Sequence, residues 1–112
     1  MATGLIQQTN IASTALTSIY SGVPAGKTAT VNILLCNLTN SAATVSIALT
    51  PTTSAGPTDA QWIEKQTVLG AYEVMERGGI VLGAGNYIYA KCDSTPAGAT
   101  VNLATTITGY EV

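Results

Sequence analysis

The chain has 112 residues, of which 46% are hydrophobic and only 9% charged, with a formal net charge of −2 and no histidine. That length suits one domain with a modest core, and the basic residues Lys27, Lys65, Arg77 and Lys91 are too scattered to bind a nucleic-acid backbone. There is no apolar run of about 18 residues for a membrane-spanning helix and no basic amphipathic segment for a membrane surface, while Met1 to Asn10 lacks the basic and long apolar regions of a secretory signal.

Thr3 to Thr9 reads as an arm or an edge strand, which divides the chain into residues 1–10 and a sandwich domain over 11–112. Thr14 to Tyr20, rich in Thr, Ile and Tyr, predicts a strand that ends in a tight connection at Pro24 and Gly26. From Thr28 to Leu38 the pattern alternates, with Ala29, Val31, Ile33 and Leu35 on one face and Thr28, Thr30 and Asn32 on the other. Leu34-Leu35-Cys36 is apolar on both faces, as in a central strand or one covered by a partner. Asn37 to Ala42 has turn chemistry, and Ala43 to Thr50 alternates again, so these two strands are expected to form a hairpin.

Pro51 to Ala60, with two prolines, a glycine and three threonines, reads as a loop and a candidate contact. Gln61 to Leu69 predicts a strand with Ile63, Thr67 and Leu69 on one face and Trp62 and Glu64 on the other. Val74 to Leu82 is interrupted by Gly78-Gly79, the mark of a bulge. Gly83 to Asn86 turns into Tyr87 to Cys92, and Asp93 to Ala99 leads into Val101 to Tyr110, with Val101, Leu103 and Ile107 inward. No helical stripe persists for three turns. About seven or eight strands at roughly ten-residue spacing predict an all-β fold, a single β-sandwich or jelly-roll-like domain.

Without histidine, Ser-His-Asp and Cys-His catalysis are excluded. Cys36 and Cys92 have no close-spaced partners for zinc, and Asp93 is alone in its loop, so no metal or other cofactor is expected. The cysteines read as small hydrophobes in or near the core, with a single bridge as the alternative. Gly83-Ala84-Gly85 lacks the following glycine and lysine of a phosphate loop. Glu73 and Glu76 beside Arg77 read as a solvated or interface charge cluster, because positions three apart on a strand face opposite ways. Asp59 and Glu64 flank Trp62, which fits a strand edge or a sugar contact. No catalytic residue emerges, so the chain reads as a non-enzyme. Tyr87 and Tyr89 share a strand face with Lys91, either half-exposed or an interface patch.

The run Tyr20-Ser21-Gly22-Val23-Pro24-Ala25-Gly26-Lys27-Thr28-Ala29-Thr30-Val31, then Leu35-Cys36-Asn37 and Ser41-Ala42-Ala43-Thr44-Val45, resembles small virion proteins of tailed bacteriophages. Gly79 to Ile88 is similar to a hairpin of theirs, with Asn86 where an acidic residue is more usual, and Gly109 to Val112 to their endings. The resemblance spans most of the chain. It implies a β-sandwich on the particle exterior and carries no catalytic residue.

The expectation that follows is a capsid decoration, or cement, protein that binds the outer capsid surface and stabilises the shell. A neck, collar or tail component, or a carbohydrate- or receptor-binding module, are the alternatives. Expected partners are the major capsid protein or other virion proteins and further copies of the chain, as a dimer or trimer; the expected location is the virion, assembled in the host cytoplasm. Candidate contacts are Leu5 and Ile6 in the N-terminal segment, Thr53 and Pro57 in the loop, and the aromatics Trp62, Tyr72, Tyr87 and Tyr89.

Overall fold

The computed structural model describes residues 3–54 and 56–112. There the alternating stretches become eight strands: β1 (Thr3–Ile11), β2 (Thr17–Tyr20), β3 (Ala29–Asn37), β4 (Ala43–Thr50), β5 (Trp62–Leu69), β6 (Val74–Leu82), β7 (Tyr87–Cys92) and β8 (Leu103–Glu111). One turn of 3-10 helix, Asp59–Gln61, leads into β5. The N-terminal segment is an edge strand that runs to the buried Ile11; Met1 and Ala2 of the predicted arm lie outside the described residues.

Two sheets of four strands face each other, ordered β1-β8-β3-β6 and β2-β7-β4-β5. Every pairing is antiparallel. The pairs β1:β8, β2:β7, β3:β6 and β4:β5 are those of one long hairpin whose tip lies between β4 and β5. Two further seams, β3:β8 and β4:β7, roll that ribbon into a closed sandwich. An eight-stranded double sheet wound this way is a jelly roll. Its core is aliphatic: Val31, Ile33 and Leu35 of β3, Val45 and Ile47 of β4, and Ile107 of β8 are buried between the sheets.

The expected hairpin of β3 and β4 does not form. β3 lies between β8 and β6 in one sheet, and β4 between β7 and β5 in the other. Each strand has one fully apolar face, and the two faces contribute to the same core from opposite sides. The turn chemistry at Asn37 to Ala42 serves the crossing instead. The Asn37 side chain is fully buried; its Nδ2 donates to the carbonyls of Ser41, Leu69 and Gly70 at 2.8, 3.2 and 3.0 Å. Its Oδ1 accepts from the Thr39 N–H at 3.0 Å and the Thr39 hydroxyl at 2.8 Å. One amide thus ties the β3–β4 crossing to the end of β5.

The bulge expected at Gly78-Gly79 is present: the β3:β6 register skips there, and the Gly79 N–H donates to Asn32 Oδ1 at 3.1 Å. β5 departs from strict alternation. Its register with β4 shifts twice, and Gln66 sits at φ 53°. Glu64, opposite the inward Ile47, therefore turns with Thr67 toward the seam between the sheets, and the Thr67 hydroxyl donates to Glu64 at 2.8 Å. Trp62, opposite Ala48, stays on the outside. The sequence pattern places Trp62 and Glu64 on one face; the bulges separate them.

Candidate functional site

Strand alternation sends half of each sheet outward, and the two outer faces differ. On the β1-β8-β3-β6 sheet the outward rows follow from the register. Gln8, Thr106, Leu34 and Glu76 make one row, and Asn10, Ala104, Cys36 and Val74 the next. A third row carries Tyr110, Thr30 and Val81, while Leu5 lies beside Thr108 on the edge strand. Glu76 is the one charged side chain on these rows. Leu5, Val74, Val81 and Tyr110 are 59%, 60%, 67% and 45% exposed, and Leu34 and Cys36 are half-buried. A broad, nearly uncharged face with large apolar side chains in the open has the composition of a protein contact.

The outer face of the β2-β7-β4-β5 sheet is already partly covered by its own chain. Ala48, between Tyr89 and Trp62 in register, is fully buried. The loop at the ribbon tip folds back here: the Ser54 N–H donates to the Tyr89 hydroxyl at 3.1 Å, and the Thr50 hydroxyl donates to the Thr52 carbonyl at 2.6 Å. Tyr87 stacks on Tyr89 with ring centroids 5.9 Å apart. Lys65 Nζ lies 4.1 Å and Lys91 Nζ 5.5 Å from the Trp62 ring centroid, within reach of cation–π attraction. Beside them Ser46 donates to Asp93 at 2.7 Å, accepts from the Gln66 N–H at 2.9 Å, and Asp93 pairs with Lys91 at 3.6 Å.

A cleft of about 350 Å³ follows the open seam between β5 and β6, lined by Leu49, Ile63, Ile80 and Val81. Arg77 closes over it, pairing with Glu64 at 2.7 Å and donating to the Ile63 carbonyl at 3.3 Å. The expected cluster of Glu73, Glu76 and Arg77 is therefore dispersed. Glu73 accepts from the Gly70 N–H at 2.6 Å, Glu76 points out from the first sheet, and Arg77 reaches from β6 to Glu64 of β5.

The remaining polar groups hold the fold. Buried Tyr20 donates its hydroxyl to Glu111, joining β2 of one sheet to the end of β8 in the other. Burial first, and then this bond and the Glu111 charge, push the Tyr20 phenol well above its ordinary value. Cys36 and Cys92 are free thiols on different sheets, Cys36 half-buried on the outer face and Cys92 fully buried in the core. Burial raises the Cys92 thiol. Asn86 uses both ends of its amide: Oδ1 accepts from the Gly83 N–H at 2.8 Å, and Nδ2 donates to the Pro51 carbonyl at 3.3 Å, which a carboxylate could not do. Among the described residues no three His, Cys, Asp or Glu side chains come together.

The residues singled out in the sequence do not form one patch. Leu5 is exposed on the first sheet, and Ile6 beside it is half-buried against the core. Thr53 is exposed and Pro57 half-buried in the tip loop. Trp62 and Tyr87 are half-buried on the second sheet, and Tyr89 is buried as the loop's anchor. Tyr72, 65% exposed, lies in the β5–β6 turn, where its N–H donates to the Thr39 carbonyl at 3.1 Å. Sequence reasoning missed Val74, Val81 and Tyr110. The two-faced apolar run at Leu34-Leu35-Cys36 was the signal that could have led to them.

No family model matches the chain, and no curated protein matches it. Among solved structures, the Tobacco streak virus coat protein dimer aligns over 92% of this chain and 86% of its own, at 11% identity and a TM-score of 0.28. A likeness at that score carries no argument; the fold is read from the strand order.

Proposed function

We propose that this chain is a structural protein of a virus particle, and within that class a capsid decoration protein that binds the outer capsid surface and stabilises the shell. The observation that carries the proposal is the outer face of the β1-β8-β3-β6 sheet, broad, apolar and Thr-rich with Glu76 as its one charge. Such a face suits burial against protein. Two further supports are the resemblance of Tyr20 to Val45 and Gly79 to Ile88 to small phage virion proteins, and the jelly roll itself, a fold common in viral capsids but also in lectins.

The tip loop supplies the contact toward the shell, held at Ser54 by the Tyr89 hydroxyl. Its anchoring on Tyr89 reduces the entropy lost on docking, and it presents Thr53 outward. A protein that binds the assembled shell more tightly than the disassembled one stabilises it by mass action. The carbohydrate-binding alternative draws less support from Trp62, whose ring has the Lys65 and Lys91 ammonium groups 4.1 and 5.5 Å from its centroid.

Quantitative mass spectrometry of purified particles tests the proposal. A copy number equal to that of the major capsid protein, or a simple fraction of it, is expected. A handful of copies per particle would move the chain to the neck or tail, and its absence would overturn the virion reading.

A further inference from the structure

We propose that the outer face of the β1-β8-β3-β6 sheet is covered by a second copy of this chain, the two sheets packing face to face about a two-fold axis parallel to the strands. This rests on reading that face as a protein contact and names its partner.

The first argument is chemical. The polar side chains on the face are hydroxyls and amides, among them Gln8, Asn10, Thr30, Asn32 and Thr106. Each can both donate and accept, so the face can satisfy its own copy. A partner rich in Lys, Asp or Glu would find almost no opposite charge there. In an isologous interface a patch meets itself, and like charges on it would repel. Here Glu76 is the one charge, and it lies on the edge strand β6, away from the middle of the face.

The second argument is the register. Gln8, Thr106, Leu34 and Glu76 form one row straight across the sheet. The proposed axis reverses that row in the second copy. It lays the Glu76 end over the Gln8 end, carboxylate against amide, and brings Thr106 and Leu34 of the two copies together at the centre.

The third argument is size. The four strands have nine residues each. At about 4.8 Å between strands and about 3.3 Å per residue, the face covers about 600 Å². Two copies then bury about 1,200 Å² in total, the lower end of the range for specific, stable interfaces.

The test is the oligomeric state of the isolated protein by sedimentation velocity and light scattering across a concentration series. The expected result is a dimer for the wild type, and at least a tenfold weaker association for Thr106→Arg, which drives a guanidinium against Leu34 of the other copy on each side of the axis and brings two like charges close together. Thr44→Arg, on the outer face of the other sheet, should dimerise like wild type. Far-UV circular dichroism and Trp62 fluorescence establish that each variant is folded. Cys36 lies on the proposed interface, so its alkylation should slow as the dimer forms. A monomer at all concentrations, a trimer, or a dimer that tolerates Thr106→Arg and leaves Cys36 equally reactive would each overturn the inference. None of these outcomes bears on the copy number in particles, which decides the virion reading separately.

Discussion

Asn37 is the point at which a single substitution should cost most for its size. Asn37→Ala removes an amide whose two N–H groups are shared among three carbonyls and whose oxygen accepts twice from Thr39. The side chain is fully buried, so water does not readily replace it. A typical hydrogen bond contributes about 0.5–1.5 kcal/mol net, and a buried group left unsatisfied costs about 1–3 kcal/mol. The shared carbonyls are partly exposed at Ser41 and Gly70, so the five contacts do not all count in full. A loss of about 3–5 kcal/mol is expected, a large share of the roughly 5–15 kcal/mol that keeps a domain folded. Asn37→Asp should be worse, because a carboxylate would face the carbonyls of Ser41, Leu69 and Gly70. Urea unfolding followed by Trp62 fluorescence reads the loss, and a double-mutant cycle with Thr39→Val isolates the Asn37–Thr39 part. A loss below about 1 kcal/mol for Asn37→Ala would refute the idea that this amide holds the crossing between sheets.

Four further outcomes can be checked with the same protein. Gly109 sits at φ 143°, and an added Cβ would lie 2.0 Å from the Thr30 carbonyl oxygen on the neighbouring central strand, so Gly109→Ala should cost more than about 3 kcal/mol in a urea titration. Gly26→Ala, at φ 75° in open space, should cost only about 1 kcal/mol by the same measurement. Stability should also fall in alkali. The folded state holds the Tyr20 and Cys92 protons more tightly than their ordinary values of 10.0 and 9.0, so their contribution is complete below about pH 9 and declines above it. Thermal melts between pH 7 and 11 should show this decline, and Tyr20→Phe should flatten the part above pH 10 while lowering stability throughout by stranding Glu111. Finally, a chromogenic disulfide reagent should modify Cys36 of the native monomer readily and Cys92 only after denaturation; two equally fast thiols would contradict the buried position of Cys92.

The strands were legible because alternation is a local signal. Ala43 to Thr50, Val74 to Leu82 and Tyr87 to Cys92 have the same limits in the sequence pattern and in the structure. Pairing was not legible in the same way. The turn chemistry of Asn37 to Ala42 looks alike whether the chain doubles back in one sheet or crosses to the other, and only the packing of two apolar faces decides. The bulges of β5 were hidden too, since Gln66 is not a residue that announces positive φ, and its effect was to part Glu64 from Trp62. The nearly uncharged sheet face could be only half seen. Leu34 and Cys36 showed as a two-faced run, but Val81, Val74 and Tyr110 joined them through strand neighbours far away in sequence.

The rolled ribbon also constrains when this molecule can fold. The first strand has no sheet partner except the last, and β8 is the inner neighbour on which both β1 and β3 depend. On the ribosome, the first sheet therefore stays open until β8 has left the exit tunnel, with β3 and β6 exposed in the meantime. Contacts this distant in sequence make for slow folding, on the millisecond-to-second scale of all-β proteins. The sparse charge of the chain gives little protection against aggregation during that interval. Production of the chain should accordingly be more sensitive to temperature and to chaperone supply than the stability of the folded protein would suggest.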